Sequence, residues 1–327
     1  MSYTAATFSS TNAGVPAGPG DSDSLFLKVF SGEVMATFNK KTVMKERTRI
    51  RNIASGSSAQ FPAIGKVNAG YHQPGEVILG QAVAQGEKVI TIDDLLVTDV
   101  FMSNYEDAKN HYEVRGEYTT QMGDALAQVY DQNLFGLAFK GIAAGTAGAV
   151  TGQGPAVRKP IGTATPTTTQ VVDEIFTGAA AFDSTSIPKE DRCVFVTPTI
   201  YWDLIQDGSF LDRDFGNDGN GSQATGGLMR VAGFEVIPTN NMAINHGTDT
   251  LSGSQAGSAT TDYDINASTY VAMLMQKQAL GSVHLMDLAS ESEYQINRQG
   301  TLMVSRMAVG HGLLRPECIY GIDAATS

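Results

Sequence analysis

One stretch constrains this chain more than any other: an apolar strand that leads directly into an exceptionally long helix. Residues 88–100 (KVITIDDLLVTDV) read as strand, and Ser103-Asn104-Tyr105-Glu106 follows as an S-x-x-E capping box. In such a box the Ser103 hydroxyl takes the Glu106 amide proton, and the Glu106 carboxylate returns to the Ser103 amide. From there to Lys140 no proline occurs, and only three glycines interrupt good helix formers. A helix over 105–140 spans roughly 55 Å at 1.5 Å per residue, well beyond the usual length. A compact enzyme domain seldom needs such a rod, whereas a flat tile that braces a wall does.

The 327 residues suffice for two ordinary domains or one elongated fold with two lobes. Hydrophobic residues make up 42%, which supports a sizeable core and excludes wholesale disorder. No apolar run approaches the ~20 residues that span a bilayer. The first twenty residues have neither a basic region nor an apolar one, so no secretory signal is expected. The net charge of −12 argues against a nucleic-acid binder, which normally carries a basic surplus. Cys193 and Cys318 are most simply two buried thiols of a reducing compartment, with a disulfide between them as the alternative.

Residues 1–22 are small, polar and rich in Pro and Gly, the text of an arm. Asp23 or Ser24 then caps a helix through about Asn39, on which Phe26, Phe30, Val34 and Phe38 form one apolar stripe. Residues 40–51 hold six basic residues against one acid, and Arg47, Arg49 and Arg51 alternate as on one strand face. Residues 59–71 run out and 87–100 run back as a two-stranded ribbon whose tip is broken by Pro74, Gly75, Gly80 and Gly86. A ribbon of that length is marginal in isolation, and its open edges invite another chain.

On the long helix Met122, Leu126, Val129 and Leu137 approximate one face, while Glu113, Glu117, Asp124 and Asp131 lie on others. Residues 141–168 are a Gly/Ala/Thr/Pro connector. A second lobe follows with a helix through Val171, Ile175, Ala179 and Phe182, a strand 193–196, and a helix opened by Pro198. Strands 234–237 and 270–275 complete it, and the Gly- and acid-rich stretches 212–227 and 247–264 read as surface loops.

No catalytic constellation emerges. The five histidines (His72, His111, His246, His284, His311) are scattered and contain no H-E-x-x-H. Gly310-His311-Gly312 lacks a second ligand at useful spacing and reads as a tight bend between strands. The acids from Asp212 to Asp218 lack the 1-3-5 pattern and closing glutamate of a calcium loop. No catalytic, cofactor-binding or metal-ligating residue and no cofactor is therefore expected.

The order of short strings resembles the major capsid protein of T-seven-like short-tailed bacteriophages, the podoviruses of autographivirus type. It includes 25–30 (LFLKVF), 58–62 (SAQFP), 88–93 (KVITID), 106–108 (EDA), 110–112 (NHY), 117–119 (EYT), 233–236 (GFEV), 279–283 (ALGSV), 310–312 (GHG) and 314–317 (LRPE). The resemblance implies an α+β chain with the tailed-phage (Hong-Kong-ninety-seven-like) capsid fold. Residues 1–57 would form the N-terminal arm, 58–100 the extended β-hairpin loop, 101–165 with 291–327 the peripheral domain with its spine helix, and 166–290 the axial domain. It further implies a structural virion protein made in the host bacterial cytoplasm. Homo-oligomeric hexamers and pentamers would build an icosahedral capsid around double-stranded DNA that is enclosed without specific binding. A scaffolding protein and a portal would assist assembly, with no membrane partner.

The residues converge on the same picture, because an unsupported ribbon, an arm and a bracing rod describe a subunit completed by its neighbours. Phe61, Tyr71 and the run Val89, Ile90 and Ile92 are expected to bury against an adjacent subunit. Arg47, Arg49 and Arg51 either form a solvated strand face or meet carboxylates of a neighbour or of an acidic scaffold. Two alternatives stay open: an encapsulin-like nanocompartment shell of the same fold, and a metal-dependent enzyme using the Asp212–Asp218 acids.

Overall fold

The computed structural model describes residues 22–65, 67, 69–75, 77, 78, 80–105, 115–149, 153–163, 165–207, 221, 222, 227, 228, 230–242, 263 and 265–324. The helices are α1 (Ser22–Lys41), α2 (Arg115–Ala143), α3 (Thr168–Ser184) and α4 (Pro198–Asp207). The strands run from β1 (Arg49–Asn52), β2 (Ser58–Ile64), β3 (Gln85–Thr91), β4 (Leu96–Ser103) and β5 (Val157–Pro160) to β6 (Arg192–Val196). Two-residue strands β7 (Gly221–Ser222), β8 (Gly227–Leu228) and β9 (Arg230–Val231) precede β10 (Phe234–Pro238) and β11 (Tyr270–Gln276). The long β12 (Leu280–Gln295) and β13 (Gly300–Leu313) then lead to β14 (Ile319–Asp323).

The chain divides into two compact units. One comprises Met1–Thr42, Asp94–Tyr130 and His284–Val309; the other comprises Val43–Asp93, Asp131–Val283 and Gly310–Ser327. This division groups 131–165 and 310–323 with the second lobe, where the sequence placed them with the peripheral part.

In the first unit β4 pairs antiparallel with β13, from Ser103 opposite Gly300 to Leu96 opposite Met307. The covered face supplies Val100, Met102, Leu288 and Met303, which pack on Val34 of α1 and Met122 of α2. Val34 and Phe38 thus lie in the core as their spacing predicts; the Phe26 and Phe30 side chains lie outside the described residues. Phe38 meets the Tyr130 ring edge-on at 5.8 Å, and the Tyr130 hydroxyl lies 3.1 Å from His284 Nε2.

The expected continuous strand over 88–100 is two strands. β3 stops at Thr91, β4 starts at Leu96, and the two belong to different sheets. Asp93 and Asp94 occupy the break, where a carboxylate pair is poorly suited to a ladder interior. At the helix start the Tyr105 amide donates to Ser103 Oγ at 3.3 Å. Glu106, the other half of the expected capping box, lies outside the described residues, as do Glu113 and 107–112. The 29 residues of α2 extend roughly 43 Å at 1.5 Å each.

The second unit centres on a six-stranded mixed sheet of order β5-β14-β11-β6-β10-β9. β10 runs parallel to β6 and β14 parallel to β5, while β11 is antiparallel to both β6 and β14. The C-terminal half of α2 packs on this sheet through its aromatic residues. Phe135 meets Phe195 edge-on at 5.1 Å, and Phe139 stacks on Tyr270 at 4.4 Å. The start of α3 is secured by Gln170, whose Oε1 accepts the Thr167 amide at 3.0 Å. Arg192 is buried with its guanidinium over the rings of Phe182 and Phe234, and it donates to Asp183, Ile187 O and Pro188 O. Cys193 and Cys318 are free and buried, and burial pushes their thiols up to about 12 and about 11.

Asp131 departs from its expected outward position. It is fully buried, and its carboxylate accepts the amides of Val43 (2.9 Å) and Met44 (3.1 Å) and the Asn241 side chain (3.4 Å). Burial outweighs these bonds, so its carboxyl is pushed up from its ordinary 3.8 to about 6. The folded state therefore holds this proton more tightly than the unfolded chain does. Its contribution to stability is complete below the unfolded value and is lost as pH rises through 6. Acidifying from pH 7 to pH 5 should add on the order of 1.4 kcal/mol through this group alone. Urea unfolding followed by circular dichroism should show this gain in the wild type and lose it in Asp131→Asn.

Candidate assembly surface

The ribbon that the sequence predicts is present as a separate two-stranded sheet, β2 against β3, in register from Ser58 opposite Thr91 to Ile64 opposite Gln85. Exposed and buried residues alternate along β2 and turn Ala59 and Phe61 inward. With Ile90 of β3 they form a cluster on Val283 and Leu314 of the same unit, and Ile53 and Ile92 pack against it. Burying a side chain the size of Phe61 or Ile90 stabilises such a root by roughly 1.5–3 kcal/mol. Phe61, at 4% exposure, Ile90 and Ile92 therefore belong to the subunit's own core, which corrects their expected burial against a neighbour.

The end of β13 receives the ribbon. Gly310 and Gly312 lie within the strand rather than in the bend expected between strands. A Cβ on Gly310 would stand 2.1 Å from Thr91 O, and one on Gly312 would stand 2.5 Å from Ile90 Cγ1. Only the absence of a side chain lets the two strands approach so closely. Between these glycines His311 is buried, with Nδ1 2.9 Å from Ser282 Oγ. Its amide donates to Tyr263 Oη at 3.3 Å, and Tyr263 in turn donates to the Asp93 carboxylate.

Beyond Ile64 the character reverses. Ile64, Val67, Tyr71, Val77 and Ile78 are all exposed, Tyr71 completely and Val77 and Ile78 by more than three quarters. Val89, on the outer side of β3, is 43% exposed. Five large exposed apolar side chains within residues 64–78 form the kind of surface that soluble monomers seldom carry.

The three predicted arginines separate. Arg47 lies in a 3-10 turn (Lys45–Arg47), not on the strand, and is bound to its own unit through Glu235 (2.8 Å) and Val43 O (3.0 Å). Arg49 and Arg51 do share a face of β1, with guanidinium carbons 5.7 and 5.9 Å from the Phe61 ring centroid. Arg51 also donates to Gln60 O. Next to them a cleft of about 400 Å³ opens between Phe61, Ile64 and Leu314, rimmed by Arg49, Lys88 and Arg315. Arg315 is held by Gln278 and Glu317. The rim thus carries a cationic surplus on a chain of net charge −12.

Among the described residues no group of three or more His, Cys, Asp or Glu is placed to share a metal ion, and no helix is long and apolar enough to cross a membrane. The acids from Asp212 to Asp218 lie outside the described residues. Asp131 and the two glycines escaped sequence reasoning as parts of this framework. The G-x-G inside an apolar strand run was the legible sign of a close backbone approach.

A family model described as "Gp10A-like: Major capsid protein" matches residues 60–322. The chain is 33% identical to the major capsid protein of Enterobacteria phage T3, over 95% of each chain. It is 29% identical to that of Escherichia phage T7, over 91% of each. A solved capsid structure of the cyanophage P-SCSP1u superposes with a TM-score of 0.74 at 35% identity, covering 88% of this chain and 89% of that one. The chain therefore has the tailed-phage capsid fold, and these matches favour the phage reading over the nanocompartment one.

Replacing Gly310 by Ala should drive a methyl into Thr91 O. The expected cost is about 1–3 kcal/mol, with the loss concentrated at the ribbon root. Hydrogen exchange should show protection falling in 58–64 and 85–91 while the six-stranded sheet keeps its own.

Proposed function

The chain belongs to the Gp10A-like major capsid protein family, and from that premise we propose how its surface builds an icosahedral phage head. The role is structural, not catalytic. Copies form hexamers and pentamers, with a scaffolding protein and a portal assisting assembly, and the closed shell encloses double-stranded DNA without gripping it. A net charge of −12 suits that last role, since an acidic wall repels a polyanion. The observation that carries the mechanism is the ribbon's division into a buried root and an apolar tip. A root seated on Val283 and Leu314 holds the tip rigidly enough to present Tyr71, Val77 and Ile78 to an adjacent copy. Burying about 25 cal/mol of free energy per Å² of apolar surface at every such contact, repeated around a shell, makes individually modest contacts collectively strong.

In this reading Tyr71 and Val89 face the neighbour, and Arg49 and Arg51 supply the charge that selects and orients it. Arg47 serves its own unit. The extended loop, 58–91, thus works through its outer half, while its root and the adjoining core act as a mount.

Replacing Tyr71 by Ser together with Val77 and Ile78 by Asp should leave a folded, soluble chain that forms no closed particles. Electron micrographs of intact shells from this variant would contradict the mechanism. Reversing Arg49 and Arg51 to Glu should reduce shell yield at least tenfold, far more than the small stability cost of losing their Phe61 and Gln60 contacts accounts for. Arg47→Glu should instead lower the melting temperature, because it breaks the pair with Glu235. Calorimetry beside particle counts separates the two outcomes.

A further inference from the structure

The cleft beside the ribbon root lies wholly within the second unit, and the bonds that fix its walls leave two cations over. The Leu314 and Arg315 amides both donate to Ala279 O, at 2.8 and 3.1 Å, which holds the segment after β13 against the turn before β12. Arg315 donates to Gln278 Oε1 at 2.6 Å and to the Glu317 carboxylate, whose second oxygen accepts the Gly154 amide at 3.0 Å. Glu317 is buried, so the one acid lining the cleft is occupied by Arg315 and by backbone.

Lys88 is the register partner of Phe61, so by alternation it stands on the same ribbon face as Phe61 and Ile90. Those two are buried, whereas Lys88 stays exposed at the mouth of the cleft. Its neighbour Glu87 alternates to the other face and lines a different groove. Arg49 lies over the Phe61 ring. Neither Lys88 nor Arg49 has a carboxylate partner among the described residues. A volume of about 400 Å³ falls at the small end of the range that holds ligands. It admits the side chains of a short extended segment and not a folded surface. Ile64 and Leu314 offer such a segment an apolar wall, and two uncompensated cations flank that wall. On a chain of net charge −12, this combination selects an apolar side chain that has carboxylates beside it.

We propose that this cleft is a docking site for an acidic peptide segment of a second protein, which packs an apolar side chain on Ile64 and Leu314 and sets its carboxylates on Lys88 and Arg49. Recognition of an acidic motif by clustered cations beside an apolar wall is a recurring mode of peptide binding. The proposal rests on the shell-subunit reading, in which a second protein assists assembly. Lys88 belongs to this site alone, because the ribbon mechanism does not use it.

The test titrates the unassembled full-length chain into a fluorescein-labelled peptide that alternates Asp with Leu and Phe, and follows anisotropy. Saturable binding is expected, weakened roughly tenfold by Lys88→Glu and roughly threefold by Lys88→Gln, which removes only the charge. Lys189→Glu, at an exposed lysine outside the cleft, should leave it unchanged. Raising the salt concentration should weaken binding, and a peptide with Asn in place of Asp should not bind. Equal binding of that neutral peptide, or no effect of either Lys88 substitution, would overturn the site. A peptide of residues 210–218 that binds as tightly would make this chain the occupant, and displacement by free 3-phenylpropionate at equal concentration would make the ligand a small acid. Either result would overturn the proposal. A chain that forms closed particles but binds no acidic peptide would lose this site and keep the shell reading. A chain that binds the peptide yet never forms particles would lose the shell reading and keep the site.

Discussion

The seating of the ribbon root on the end of β13 is the interaction on which the assembly surface depends. Ala59, Phe61 and Ile90 form one apolar face, and Val283 and Leu314 receive it. Two strands alone cannot bury enough surface to hold a shape in water. Attached at one end to a core, they need to be stable only for the length of the lever. Gly310 and Gly312 make that attachment close, because the space a side chain would occupy is filled by Thr91 O and Ile90. A methyl at either glycine would loosen the mount and leave the exposed tip without a fixed direction.

The cations divide by the same logic. Arg47 and Arg192 are consumed within the subunit, one by Glu235 and the other by Asp183 and two carbonyls. Arg49 and Arg51 lie over the Phe61 ring, so their charge is oriented by the buried face of the ribbon root without being neutralised there. An anchored but unpaired guanidinium loses less conformational freedom when a carboxylate arrives. The structure thereby distinguishes residues that hold the tile together from residues available to hold tiles to one another.

Much of this arrangement was legible in the chain. The stripe through Val34 and Phe38, the strands around 193–196, 234–237 and 270–275, the helix opened by Pro198 and the two-stranded ribbon follow from period and punctuation. Three errors share one cause. The strand over 88–100 looked continuous because its apolar residues are, although β4 takes its place beside β13, a partner some two hundred residues away. Asp131 looked exposed because a carboxylate usually is, but distant amides of Val43 and Met44 compensate it inside. Gly310 and Gly312 looked like a bend because neither neighbouring residue announces what lies across from them.

Most helix and strand segments, the ribbon's want of neighbours and the family resemblance can be read from residue order alone. Those properties reside in nearest-neighbour chemistry and in the order of short strings. Long-range packing is what turns Phe61 and Ile90 inward and Tyr71 and Val89 out, and what gives Arg47 an acidic partner while Arg49 and Arg51 have none among the described residues. A side chain's role as anchor or as contact is a property of what stands opposite it. In a strand with a period of two, a single step in register exchanges the two roles.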